Sequence, residues 1–316
     1  MTRCGSDQVQ TEAGDWLRHR LRAIVLLAGA VRPTGLSALI GRSVLDLPTD
    51  EGQSVLAHWH SLGAELTEHL QLQSLPMRVM INPGSTHPTA VATTGNHVSV
   101  SIEHDSTEYR GTAGVLRDVA EDYEDSDVLL VANGAQVVWE SLSNLVGVMA
   151  GDRADLSLIS NEDGTPSGLM LVRCAVLRDV SAIGFVDLKE QALPRIAREH
   201  MVSVVERSEP CGLPIRTLSD YIEALRSLHR RRAGQSNVAD AFAEGWQPTF
   251  GIVEDGAEVD TGVRTHDSVV LRGARVERGA VLVQSVVCPG GVVKRHQVVT
   301  DSLVEPPASK NGGRRG

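Results

Sequence analysis

The sequence predicts an α/β protein, a helix-covered sandwich built on a mixed, mostly parallel sheet and followed by a C-terminal β-solenoid. From Ala23 to about Arg232 short apolar runs alternate with amphipathic ones, the pattern of strands covered by helices. Several of those runs carry no alternating polar residue, as expected of strands buried on both faces. Beyond Phe250 the texture changes to short valine-rich runs separated by glycine-containing corners.

The apolar runs AIVLLA (23–28), RVMI (78–81), HVSVSI (97–102), DVLLVA (127–132), DLSLIS (155–160), GLMLV (168–172) and VSVV (202–205) read as strands. The intervening amphipathic stretches at about 52–71, 112–123, 140–150, 187–199 and 217–231 read as helices. Together they define a first domain over 23–232, preceded by a polar tail over 1–22. RRRAGQSN (230–237) carries a basic triplet that suits either a solvated helix end or a nucleic-acid patch, and it opens a linker over 233–249.

The final region repeats itself. FGIVEDGAEVDTGVRTH (250–266), DSVVLRGARVERGAVLV (267–283) and QSVVCPGGVVKRHQVVT (284–300) align at a register of 17 residues, with DSLV (301–304) beginning a further unit. Ile252, Val269, Val286 and Leu303 coincide, as do Gly256, Gly273 and Gly290, and Val259, Val276 and Val293. Apolar residues about six apart between glycine corners are what a triangular solenoid requires, because each coil buries its inward residues only against the next. A β-sandwich of regular strand spacing is the competing reading. About three coils fit into 250–305, ahead of a tail at 306–316. A stack this short leaves an exposed end, so packing on the first domain or on another subunit, in a homo- or hetero-oligomer, is expected.

The chain of 316 residues has a formal net charge of −10, which disfavours a surface built to coat a nucleic-acid backbone. Cys4, Cys174, Cys211 and Cys288 form no CxxC pair, so reduced thiols in a cytoplasm are expected. The polar start lacks the apolar core of a secretion signal, and no run approaches the roughly 20 apolar residues of a membrane helix. These features predict a cytoplasmic protein with neither nucleic-acid nor membrane partners.

Three stretches could carry chemistry. After the first strand, LLAGAVRPTGLSALIGRS (26–43) places Gly29 where backbone amides could approach phosphate oxygens and Arg32 or Arg42 could neutralise them. The spacing is neither GxxxxGK[ST] nor GxGxxG, and a structural strand–loop fits it as well. RGTAG (110–114) flanks Thr112 and Ala113 with Gly111 and Gly114 at a helix start, suiting either a planar base with anionic groups or a plain Thr112 cap. Finally, VLLVANGAQVV (128–138) is a strand ending at Asn133-Gly134, followed by Ala135. His58 and His60 flank Trp59 and point to different helix faces, so they are not read as a metal pair.

In this order the pieces resemble the nucleotidyltransferases that join a nucleoside triphosphate to a sugar 1-phosphate and release pyrophosphate. The resemblance covers about 23–305, through LLAG, GTAG, LLVANG, SGLMLVRCAVL (167–177), GFVDLKEQALPRIA (184–197) and RTLSDYIEAL (216–225). It implies a Rossmann-like sandwich and a left-handed parallel β-helix, a handedness that periodicity alone does not give. It also implies nucleotide contacts at Leu27, Ala28, Gly29, Gly111, Thr112, Ala113, Gly114, Asn133 and Gly134, and sugar-phosphate contacts at Gly168, Asp187 and Lys189. Asp187 fits equally as an N-cap.

The departures from the family pattern are chemical. The family's loop is longer and is followed by a lysine, whereas GRSVLDLP has none. Where the family places two metal-binding aspartates this chain has Ala135 and Pro214. In an active member Mg²⁺ offsets charge on the phosphate oxygens, and one missing electrostatic contact at a transition state costs on the order of 3 kcal/mol. Asp127, Glu140, Glu209 and Asp220 are the nearest acids in sequence, and each also reads as a solvated surface group. Three functional readings follow: a transferase acting on a nucleoside triphosphate and a sugar phosphate, with Mg²⁺ as cofactor; an impaired nucleotide- or nucleotide-sugar-binding regulatory subunit; or a purely structural subunit assembling through its β-helix.

Overall fold

The computed structural model describes residues 4–29, 35–89, 97–105, 110–235 and 249–307. It divides into two compact units, Met1–Arg32 with Val55–Pro214, and Pro33–Ser54 with Ile215–Gly316.

The first unit is built on seven strands: β1 (Leu21–Leu27), β2 (Met77–Ile81), β3 (Val100–His104), β4 (Val128–Asn133), β5 (Leu156–Asn161), β6 (Pro166–Arg173) and β7 (Val202–Arg207). Their order across the sheet is β7-β5-β6-β4-β1-β2-β3, and β6 alone runs antiparallel to its neighbours. The antiparallel step comes from the tight β5–β6 turn, where Gly164 takes φ +78° and the Asp163 carboxylate accepts the Thr165 amide at 2.9 Å. Parallel neighbours need crossovers, and helices supply them. Ala23, Val25, Leu129 and Val131 share a core with Leu116 and Val119 of helix Gly111–Ala120. On the opposite face Ile24 and Met77 close on Gly63 of helix Val55–His69.

Residues 1–22, expected to be a tail, include helix Cys4–Arg20, whose Ala13 and Leu17 are buried. Those two positions, four apart, lie on one face of the helix. Among the described residues no helix is long and apolar enough to cross a membrane.

In the second unit short strands form three parallel stacks, ordered Gly251–Val253, Ser268–Val270, Val286–Val287, Leu303–Val304; Glu258–Val259, Arg275–Val276, Val292–Val293; and Arg264–His266, Val281–Val283, Val298–Thr300. Every pairing is between residues 17 apart in sequence, such as Ile252 with Val269 and Val269 with Val286. Val270, Val276, Leu282, Val287 and Val293 fill the interior. The corners are held by carboxylates: Glu254 accepts the Arg272 amide at 2.7 Å, Asp260 that of Arg278 at 3.1 Å and Glu277 that of Arg295 at 3.0 Å. Buried Ser268 and Ser285 accept the amides of Ser285 and Ser302 at 3.2 Å.

The division differs from the expected domains over 23–232 and 250–305, because residues 33–54 and the helix Leu218–Gln235 group with the C-terminal strands. Long-range polar contacts explain the grouping. Arg226 pairs with Asp267 at 2.9 Å, Arg232 with Asp50 at 2.6 Å and Arg42 with Glu254 at 2.8 Å. Buried Tyr221 hydrogen-bonds the carbonyl of Pro48.

Candidate functional site

From β1 the chain steps outward to β2 and β3, then returns to place β4 on the other side of β1. In open α/β sheets such a reversal opens a crevice beyond the carboxyl ends of the two strands. Here those ends are Leu27–Gly29 and Asn133–Ala135. Leu27 pairs with Asn133, and the Gly134 amide donates to the Leu27 carbonyl at 2.9 Å.

The turn after β4 is tightly held. The Asn133 side-chain oxygen accepts the Ala135 amide at 3.2 Å, an Asx turn. The indole of fully buried Trp59 donates to the Gly134 carbonyl at 3.0 Å, and His58 Nε2 contacts the Val138 carbonyl at 2.5 Å. Gly168, at φ +83°, lies against this turn, since a Cβ there would stand 2.8 Å from the Gln136 side-chain oxygen and 3.3 Å from Asn133 Cβ. Strand Gly212–Pro214 pairs antiparallel with Gln136–Val138, setting Pro214 opposite Gln136. Asn133, Gly134, Gly168, Ala135 and Pro214 are therefore gathered in one place.

The other expected nucleotide contacts are partly committed elsewhere. The amides of Ala28 and Gly29 both donate to the Met80 carbonyl, at 2.9 and 3.1 Å, so they are not the free phosphate donors that the loop suggested. Gly29 instead admits Asn82, whose Oδ1 would lie 2.4 Å from an added Cβ. Arg32 lies outside the described residues. Arg42 belongs to the second unit, where Glu254 neutralises it.

At the second stretch, Gly111 takes φ +68°, and the Val186 carbonyl oxygen would stand 2.5 Å from an added Cβ, so backbone conformation and close approach both call for glycine. The Ala113 amide donates to that carbonyl at 3.1 Å, and Thr112 Oγ1 accepts the Leu188 amide at 3.1 Å. Thr112 is thus neither a plain cap nor an unencumbered base contact, and fully buried Ala113 sits in the core. Gly114 backs onto the side chain of Arg110.

These bonds bring Gly111–Ala113 beside Asp187–Lys189. The Asp187 carboxylate accepts the Glu190 amide at 2.8 Å, which makes it the N-cap of the following helix, and Lys189 is exposed. Buried Arg110 organises the same region. It binds both Asp118 oxygens, at 2.7 and 3.0 Å, and donates to the Ala182 carbonyl at 2.8 Å. The hydrogen bond to Asp118 raises its pKa.

The acids considered as substitute ligands are committed too. Asp127 pairs with Arg22 at 3.0 Å and Glu140 with Arg207 at 2.7 Å, while Asp220 accepts the Thr217 amide at 3.0 Å as a helix cap. Glu209 also makes a polar contact. Ala135 and Pro214 offer no side-chain donor, and among the described residues no group of three or more His, Cys, Asp or Glu side chains is placed to hold a metal ion.

Sequence reasoning missed Trp59, His58 and Arg110. The signal for the helix pair was the His58-Trp59 step within 55–69, visible only as packing; for Arg110 it was an arginine just ahead of a glycine-opened helix.

With this geometry in hand, comparison with solved structures identifies the architecture. The chain superposes on a putative glucose-1-phosphate thymidylyltransferase from Bacillus anthracis, solved with sucrose, at a TM-score of 0.50 and 11% identity over 66% of this chain and 95% of that one. The fold is of the nucleotidyltransferase type. Weaker matches are HddC from Yersinia pseudotuberculosis (TM-score 0.46, 14% identity, 65% and 99% covered) and a Mycobacterium tuberculosis rv0371c homologue from Mycobacterium sp. strain JC1 (0.44, 16%, 68% and 100%). No family profile and no curated relative matches the sequence.

Proposed function

We propose that this chain binds a nucleoside triphosphate or nucleotide-sugar, and a sugar phosphate, beyond the carboxyl ends of β1 and β4, on a nucleotidyltransferase scaffold with impaired transfer chemistry. The observation that carries this reading is the pairing of Pro214 with Gln136 beside Ala135. Two positions where the family resemblance implies carboxylates come together, and both are inert. The scaffold keeps its crevice while the groups that would offset phosphate charge are replaced.

In the same proposal the three stacks of the second unit form a left-handed β-helix through which copies or partners assemble in the cytoplasm. An active transferase is the second reading, favoured by the likeness in fold to a putative thymidylyltransferase. Calorimetry with each nucleoside triphosphate and nucleotide-sugar, with and without Mg²⁺, tests the choice when combined with a pyrophosphate-release assay on sugar 1-phosphates. Binding that is indifferent to metal, without pyrophosphate release, is the expected result. Release with any sugar 1-phosphate establishes the transferase, and absence of all binding overturns both readings.

A further inference from the structure

Helix Val55–His69 carries two adjacent buried side chains that both reach the segment following β4. Trp59 Nε1 donates to the Gly134 carbonyl at 3.0 Å, and His58 meets the Val138 carbonyl at the far end of the same segment. Gly134 in turn donates its amide to Leu27, and a Cβ on it would lie 3.2 Å from that of Ala28. The turn is therefore clamped between the end of β1 and the indole, with no slack on either side. A backbone held from both sides presents fixed groups to a ligand, and affinity follows from that preorganisation.

We infer that Trp59 is a positioning residue for the ligand site: its indole N–H sets the Asn133–Gly134–Ala135 turn and, through it, the affinity for nucleotide. This rests on the proposed nucleotide site. The residue does not itself touch ligand, being fully buried. Removing the N–H while keeping an aromatic ring leaves the Gly134 carbonyl buried without its donor, and the turn relaxes to recover one.

The test compares W59F with Y221F, using the wild-type full-length chain and whichever of ATP, CTP, GTP, UTP and dTTP it binds most tightly. Tyr221 is an equally buried aromatic donor to a carbonyl, in the other unit. Y221F thus reports what losing such a bond does to stability alone. The expected result is that W59F weakens binding about tenfold while Y221F, with a comparable loss of Tm, leaves affinity unchanged.

Equal affinity in W59F and wild type overturns the inference alone. So does a loss in both variants that tracks their Tm. Absence of nucleotide binding by the wild type overturns the proposed site and this inference with it. If W59F does not fold, a protein with Trp16, Trp139 and Trp246 replaced by Phe leaves Trp59 as the sole indole. Nucleotide then shifts its emission if the turn is coupled to the site, and unchanged emission at saturation overturns the coupling.

Discussion

Pro214 lies directly across from Gln136 in the short antiparallel ribbon that follows β4. The residue before Gln136 is Ala135, so two positions separated widely in sequence are near neighbours in space.

Placing carboxylates at Ala135 and Pro214 is the direct experiment. In the double variant A135D/P214D, Mg²⁺ is expected to strengthen nucleotide binding by at least about tenfold, or ~1.4 kcal/mol, whereas wild-type binding is indifferent to metal. Calorimetry of both proteins with and without Mg²⁺ decides it. A double variant equally blind to metal means the two positions do not form one site.

Gly111→Ala is expected to be costly. It forces a Cβ onto φ +68° and to within 2.5 Å of the Val186 carbonyl. A loss of about 1–3 kcal/mol in urea unfolding is predicted. An unchanged midpoint would show that the Gly111–Val186 contact yields easily.

Ser285→Ala removes a buried hydroxyl that donates to the Val283 carbonyl at 2.7 Å and accepts the Ser302 amide at 3.2 Å. The loss should be about 1–3 kcal/mol, with amide exchange accelerated around Ser302. Exchange rates that stay at wild-type values would mean that the serine ladder contributes nothing.

The buried thiols predict an alkaline loss of stability. Burial, with Asp127 nearby, pushes Cys174 up from 9.0 to about 12, and burial with Glu305 pushes Cys288 up to about 11. The native state therefore holds these protons where the unfolded chain releases them. The thiols' contribution is intact below pH 9.0 and is lost as pH rises through the folded values. The urea midpoint of wild type should accordingly fall more steeply above pH 9.0 than that of C174S/C288S, and parallel curves would refute it.

Much of the sheet was legible because buried parallel strands leave unbroken apolar runs: AIVLLA, RVMI and DVLLVA fall within two residues of β1, β2 and β4. The 17-residue pairing was legible for a similar reason, since each 17-residue unit repeats the pattern of the last. Helix Cys4–Arg20 was hidden because, among its described side chains, only Ala13 and Leu17 are buried apolar residues. The grouping of 33–54 with the C-terminal strands was hidden because Arg42 finds Glu254 at a separation of 212 residues. In the site, the turn at Asn133–Ala135 was readable from chain order. That the Ala28 and Gly29 amides serve Met80, and that Thr112 serves Leu188, depends on partners no local pattern names.

The uniform register of the stacked strands bears on how such a chain can change over generations. Duplicating or deleting one whole 17-residue unit within the array keeps the buried apolar positions in register, Ile252 and Val286 being equivalent to Val269. Tandem slippage during replication is therefore tolerated there in whole units. Loss or gain of a single residue turns valines outward and glycine corners into strands. The array is free to lengthen by copying, while its reading frame of side chains is held fixed.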